Sequence, residues 1–270
     1  MVKNKANAAQ NFTKEEFIQA LKDIKAQGWI LNHRPGNDGG AGNTIEDLLG
    51  IEENNLPIAD TKNWELKTQK VKENYITLFH MDPYPREANL VPSVLLPKYG
   101  WKHKEAGKKY PSSEMSFRAT LCATRCTDRG FIVEVDRQKQ LVLVSFDSTE
   151  VGPNHAEWLK GLTASVGKGE FAIQPIWGFE VLKKKVYAKI KNTFFVKVKR
   201  RKNAKGEEEF LIDEVWMLED VSFDLFIDGI EKDFILIDFD ARTGHNHGTK
   251  FRTADTDSFK KLYRKATMVI

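Results

Sequence analysis

The sequence predicts a mixed α/β (α+β) chain, built as a single unit of two lobes. Three observations carry that expectation. Helix-period and strand-period runs both occur but do not alternate strictly, which argues against a series of βαβ units. No internal repeat and no long linker interrupts the 270 residues. The hydrophobic share of 41% can fill a sizeable core, and no apolar run approaches the roughly 20 residues of a membrane span.

The elements follow in chain order. The opening MVKNKANAAQNFTKEE has no apolar centre, so it reads as a short disordered arm and not as a signal peptide. Residues 13–27 read as a helix: Thr13 and Glu16 fit a capping box, Phe17, Leu21 and Ile24 share a face, and Gly28 stops it. NHRPGNDGGAGN reads as a glycine-rich loop. It lacks the Gly-Lys-Ser/Thr ending of a phosphate-binding loop, and GLTASVGKG has the wrong spacing, so nucleotide hydrolysis is unsupported. TIEDLLGI reads as a short helix burying Ile45, Leu48 and Leu49, with Asn43 and Glu46 placed for a second capping box. WELKT and NYITLFHM read as consecutive strands. FRATLCATR, GFIVEVD and QLVLVSFD are three more, the last two joined as a hairpin around 137–139. NHAEWLKGLTASVG and VSFDLFIDGIEKD read as helices and FILIDFDAR as a buried strand. ARTGHNHGTKFRT reads as a loop and DSFKKLYRKA as a C-terminal helix.

Charge is unevenly spread. The net charge is only +4, but residues 183–205 hold eleven Lys and Arg and no acid, and 206–240 are mostly acidic. FFVKVKRRKNAKGEEEFLIDEVW therefore reads as a hairpin whose basic strand faces an acidic one; the same basic strand also suits phosphate contact, and both readings can hold together. The two cysteines, Cys122 and Cys126, cannot form a disulfide framework or a four-ligand zinc site alone, and read as reduced thiols of a cytoplasmic protein.

The chemistry concentrates in IADTKNWELKTQK. On a strand, Glu65 and Lys67 point to one face and Leu66 to the other. Asp60 stands at the strand's entrance, and Glu46 on the preceding helix offers a third carboxylate. Two or three carboxylates, with the Leu66 backbone carbonyl, suit a hard cation such as Mg²⁺, and a neighbouring lysine suits a water attacking a phosphodiester. The plainer alternatives are an exposed strand-edge pair for Glu65 and Lys67 and a helix cap for Glu46. Asp23-Ile-Lys25 and Asp60-Thr-Lys62 share the acid-x-Lys spacing, but the first lies on a helix and the second has no strand pattern.

A second constellation, ARTGHNHGTKFR, gathers Arg242, His245, His247, Lys250 and Arg252. Arg pairs bidentately with guanine, His donates to the same acceptors, and Lys suits a phosphate. Arg118 in SFRATL and His80 after the TLF strand are secondary candidates. The rivals are a polar turn and a transition-metal site of His245 and His247 with Asp240.

NTIEDLLGIEENNLPIADTKNWELKTQK and GHNHGTKFR together resemble the MvaI/BcnI group of type II restriction endonucleases, which is similar to the mismatch-repair nickase MutH within the PD-(D/E)XK superfamily. The two motifs are ordered and about 180 residues apart, so the resemblance spans most of the chain. One departure is that Ala59, not Pro, precedes Asp60. The resemblance implies a central mixed sheet flanked by helices and two lobes around a DNA cleft. It places the catalytic lobe at about 11–150 and the recognition lobe at about 151–270. It puts Asp60, Glu65 and Lys67 in the catalytic positions, with Glu46 as an additional carboxylate. It further implies Mg²⁺, double-stranded DNA as partner, and a monomer nicking each strand in turn at a short site of the CCNGG kind. A cognate methyltransferase would act on the same site without binding the protein. The alternatives are a MutH-like strand-specific nickase and a non-catalytic DNA-binding protein.

Overall fold

The computed structural model describes residues 12–36, 39–51, 64–71, 75–167 and 171–270. The expected N-terminal arm lies largely outside the described residues, and Asp60 lies wholly outside them. The helices are α1 (Lys14–Ala26), α2 (Gly40–Leu49), α3 (Leu96–Tyr99), α4 (Ala156–Val166), α5 (Phe179–Lys189), α6 (Phe223–Glu231) and α7 (Thr256–Lys260). The strands are β1 (Ile30–Leu31), β2 (Trp64–Lys70), β3 (Ile76–His80), β4 (Trp101–Lys102), β5 (Met115–Leu121), β6 (Arg129–Asp136), β7 (Leu141–Val151), β8 (Ile176–Gly178), β9 (Asn192–Lys202), β10 (Glu208–Val221), β11 (Ile235–Arg242), β12 (His245–Asn246), β13 (Lys250–Thr253) and β14 (Tyr263–Met268). The fold is mixed α+β, as the unalternating pattern implied.

Two compact units divide the chain. One draws on residues 1–74, 186–223 and 260–270, the other on 75–185 and 224–259. The sequence had suggested two consecutive lobes meeting near residue 150. Instead the segments interleave, because strands pair with partners far away in sequence.

In the first unit the sheet runs β1-β10-β9-β2, with β14 also on β10. All pairings are antiparallel except β2 with β9, which is parallel and sets Glu65 beside Thr193 and Leu66 beside Phe194. α1 forms where expected: Thr13 caps it in a full capping box, and Phe17, Leu21 and Ile24 are buried. Those residues join Ile45 and Leu49 of α2, Trp64 and Leu66 of β2 and Phe194, Val196 and Val198 of β9 in one core. Phe194 lies at its centre, its ring 4.5 Å from both Phe17 and Trp64. The charge-complementary hairpin is present in β9 and β10, where Lys199 meets Asp213 at 2.6 Å and Arg201 meets Glu209 at 2.8 Å.

Three local expectations change. α2 begins at Gly40, inside the stretch read as a glycine loop, with Gly39 as N-cap, so Asn43 lies within the helix and forms no capping box with Glu46. The loop expected at 32–43 is also shortened, and β2 and β3, consecutive strands as expected, belong to different sheets. The C-terminal helix reduces to the short α7, and Tyr263–Met268 forms a strand against Trp216–Val221 of β10. Lys, Arg, Ala and Met favour helix locally, but an unfilled ladder position on β10 outweighs that preference.

The second unit contains a sheet ordered β3-β13-β11-β5-β4, with β12 on β11, and a three-stranded sheet β6-β7-β8. Its core is aromatic. Phe117 of β5 packs against Phe239 of β11 at 5.4 Å and against Phe131 of β6 at 5.3 Å, joining the two sheets. Phe79, Phe251 and Trp177 extend the contact. With alternate residues committed to this core, the residues between them on β5, β11 and β13 occupy the other face of the larger sheet. The loop expected at 241–253 is therefore mostly ladder: β11, a tight turn, β12, and then β13.

Phe194→Ala is expected to cost about 3–5 kcal/mol, because it removes the ring on which α1 and β2 both rest. Thermal unfolding checks this, and an unchanged midpoint would contradict the core described.

Candidate active site and nucleic-acid interface

The first constellation lies on β2. Trp64 and Leu66 point into the helix-covered core, so alternation turns Glu65 and Lys67 to the opposite face. Glu65 is 6% exposed, and Lys67 donates to its Oε1 at 2.8 Å. A solvated strand-edge pair would not be so enclosed. Thr193, fully buried, is its neighbour on β9, and the Thr193 Oγ1 and Tyr263 hydroxyl lie 2.8 Å apart. Burial pushes the Tyr263 phenol far above its ordinary range; the Thr193 hydrogen bond opposes this and the Glu65 charge adds to it. Tyr263 is therefore a neutral hydroxyl at any working pH.

Glu46 reaches the same strand from α2. Gly42, one turn earlier, faces Thr68: a Cβ built there would lie 3.8 Å from Thr68 Cβ and 4.0 Å from Glu46 Oε1. Glu46 Oε1 thus lies beside the part of α2 that packs on β2. Thr68 Oγ1 is buried there without a hydrogen-bond partner among the described residues. The donors that β2 and α2 offer are carboxylate, hydroxyl and carbonyl oxygens. That set fits a hard divalent cation such as Mg²⁺ and does not fit a thiolate–imidazole metal.

The second constellation occupies the polar face of the larger sheet. Arg118 and Thr120 of β5, Asp238 and Asp240 of β11, and Lys250 and Arg252 of β13 form a lattice of alternating charge. Asp240 binds Arg118 at 2.8 Å and Lys250 at 3.0 Å; Asp238 binds Arg252 at 2.9 Å and Thr120 at 2.8 Å. Burial alone would raise the Asp240 carboxyl, but the hydrogen bond and charge of Lys250, with Arg118 and His247, hold it below the usual range. Arg242 donates to the buried Glu114 at 3.0 Å and lies over the Tyr110 ring. The His245 and His247 rings are exposed, with nitrogens 3.3 Å apart. His80 of β3 stands opposite Lys250. The structure therefore brings together all seven residues singled out for nucleic-acid contact within one unit. It does not assemble the rival metal site: Asp240 is engaged by cations, and among the described residues no three His, Cys, Asp or Glu converge as ligands.

Sequence reading missed Asp82 and Asp238, and named Asp240 only as a partner in the rival metal site. Asp82 accepts from Thr249 N at 2.7 Å and Thr249 Oγ1 at 2.9 Å, which fixes the turn between His247 and Lys250. Gly248 at the bend has φ +80, a conformation that favours glycine. The strict alternation in ILIDFDAR was the available signal for Asp238 and Asp240, since it puts both on the face of Arg242.

The enclosed Glu65–Lys67 pair and the cationic, histidine-bearing sheet face are the features that bear on nucleic-acid chemistry, and the chain is of the restriction-endonuclease class. The model of the MvaI/BcnI restriction endonuclease family matches residues 18–263, and the chain belongs to that family. It is accordingly a type II site-specific deoxyribonuclease. Among solved structures, the restriction endonuclease MvaI in complex with its cognate DNA substrate is similar, with a TM-score of 0.74 and 20% identity over 96% of this chain and 100% of that one. MvaI in the absence of DNA matches with a TM-score of 0.53 and 21% identity over 96% and 99%. None of the curated proteins matches.

The cationic face leaves a mark on His80. Its pKa is lowered, first by burial, then by Lys250, with Lys185 and Arg252 adding and Asp82 opposing. A lowered folded-state value means that the unfolded chain binds the proton more readily. The resulting stability is present above the ordinary histidine range and is lost as pH falls through the folded value. The residue as a whole is exposed although its ring is partly enclosed, so the effect on stability is small. An NMR titration should find His80 half-protonated below the usual histidine range, and Lys250→Met should raise that point. An unchanged midpoint in Lys250→Met would remove Lys250 as a source of the field.

Proposed function

We propose that this enzyme hydrolyses both strands of double-stranded DNA at a short site, using Mg²⁺ held at β2. The observation that carries the reading is the enclosed Glu65–Lys67 pair, 2.8 Å apart on a strand within the family's matched span. Asp60, Glu65 and the Leu66 carbonyl would hold the cation, with Glu46 contributing from the helix side of the strand. When bound, Mg²⁺ supplies a Lewis acid at the scissile phosphate and lowers the pKa of a coordinated water. Lys67 has two roles. Its ammonium aligns the attacking water through Nζ and offsets the charge that gathers on the phosphate oxygens. Glu65 holds Lys67 at that position through Oε1, and Leu66, buried beneath, fixes the height of both.

Specificity would come from the polar face of the second unit. Arg242 and Arg252 carry forks that match guanine O6 and N7, and His80, His245 and His247 can donate to the same acceptors. Lys250 and Arg118 suit phosphates or base edges close by. Asp238 and Asp240 hold these cations extended before DNA arrives, which limits the side-chain entropy lost on binding. Cognate DNA in the MvaI complex supports DNA as the partner. A site of the CCNGG kind, cut by a monomer in two successive nicks, is the form of the activity that the family resemblance favours.

Lys67→Ala should reduce cleavage by about 10³-fold or more while leaving binding of the target duplex within a few-fold, because the lysine acts in the transition state. Cleavage at the parental rate would refute the assignment. Arg252→Ala should weaken specific binding by about 1–3 kcal/mol and relax the choice at one base pair; a duplex-binding series with single-base changes measures this.

A further inference from the structure

Behind Glu65 lies a pair of hydroxyls that the mechanism above does not use. Thr193 of β9 is the residue directly beside Glu65 in the parallel ladder, so the two side chains leave the sheet on the same face. Thr193 is fully buried, and its Oγ1 lies 2.8 Å from the hydroxyl of Tyr263, itself 5% exposed. Tyr263 begins β14 and pairs with Val221 of β10, so it comes from a third chain segment fixed by its own ladder. Three segments separated by more than a hundred residues in places thus converge on one carboxylate.

We propose that Tyr263 and Thr193 are positioning residues for Glu65, acting as a two-hydroxyl relay that holds its carboxylate in the orientation needed for a divalent cation. This rests on the reading of Glu65 as a metal ligand. A carboxylate 6% exposed takes its orientation from the groups that line it. Lys67 supplies one at Oε1. The Thr193 and Tyr263 hydroxyls are within hydrogen-bond distance of each other; in the proposed relay the phenol donates to Thr193 Oγ1, which leaves the Thr193 hydrogen to turn toward Glu65, its ladder neighbour, when the cation is bound. A hydroxyl rotates freely on its own; accepting from Tyr263 fixes which way Thr193 donates. Partners of this kind, one step removed from a metal, commonly change its affinity by about 10- to 100-fold when removed.

The plainer possibility is that the two hydroxyls only satisfy each other in the core. The two are separated by Mn²⁺ titration of the full-length protein without DNA, followed by calorimetry, beside single-turnover cleavage and thermal unfolding. Tyr263→Phe and Thr193→Val are each expected to weaken Mn²⁺ binding by about tenfold or more. Both should lower the cleavage rate constant with duplex affinity unchanged, and Thr193→Ser should restore both values. If either variant binds Mn²⁺ and cleaves like the parent, the relay is wrong, whatever happens to the unfolding midpoint. If Thr193→Ser fails to restore Mn²⁺ binding, the hydroxyl is not the operative group and the relay is again wrong. A parent protein that neither binds Mn²⁺ nor cuts DNA would instead overturn the metal-site reading itself, and the relay with it.

Discussion

The catalytic reading depends on one pairing, the parallel ladder between β2 and β9. It fixes which face of β2 is buried under α1 and α2 and which carries Glu65 and Lys67. A slip of one residue would turn Leu66 outward and bury the charged pair in an apolar core. Phe194 opposes that slip, because its ring is wedged between Phe17 and Trp64 only in the observed register. The core of this unit therefore does more than stabilise: it sets the direction in which two reactive groups point.

A related economy governs the other unit. Its larger sheet is packed on one face by Phe117, Phe239 and Phe251, and the alternate residues carry paired charges. If these cations meet DNA as proposed, they must be kept from repelling one another before it arrives. Asp238 and Asp240 meet that need, each bound by basic side chains from neighbouring strands. DNA phosphates or base edges can then replace carboxylates as acceptors without large movement of the guanidinium and ammonium groups. The same principle operates in the hairpin of β9 and β10. There four of the eleven cations in the stretch that suggested phosphate contact, Lys197, Lys199, Arg200 and Arg201, pair with Glu214, Asp213, Glu208 and Glu209.

Much of this was legible in the sequence. Local signals with a single physical meaning carried through: the Thr13 and Glu16 cap, the Gly50 stop, the alternation that puts Glu65 and Lys67 together, and the basic-then-acidic hairpin. The failures share a cause. Elements were misread where local preference and distant pairing disagree, because periodicity does not report pairing. Tyr263–Met268 has helix-forming residues but completes a ladder on β10. Gly40 and Gly42 look like loop residues, yet both lie in α2, and a Cβ at Gly40 would press to 2.8 Å of the Asn32 side chain. Tyr263 could not be connected with Glu65 at all, since only the folded ladder brings Thr193 between them. Asp60, the remaining member of the proposed acidic set, lies outside the described residues.

The central claim is that this chain cuts DNA at a defined sequence with a cation held at β2. It is tested most directly by incubating the purified protein with a fully sequenced plasmid in Mg²⁺ or in EDTA and sequencing the product ends. Discrete fragments that appear only with Mg²⁺ and share one short sequence at their ends are the expected result. Cleavage that persists in EDTA, or ends scattered without a common sequence, would contradict the account.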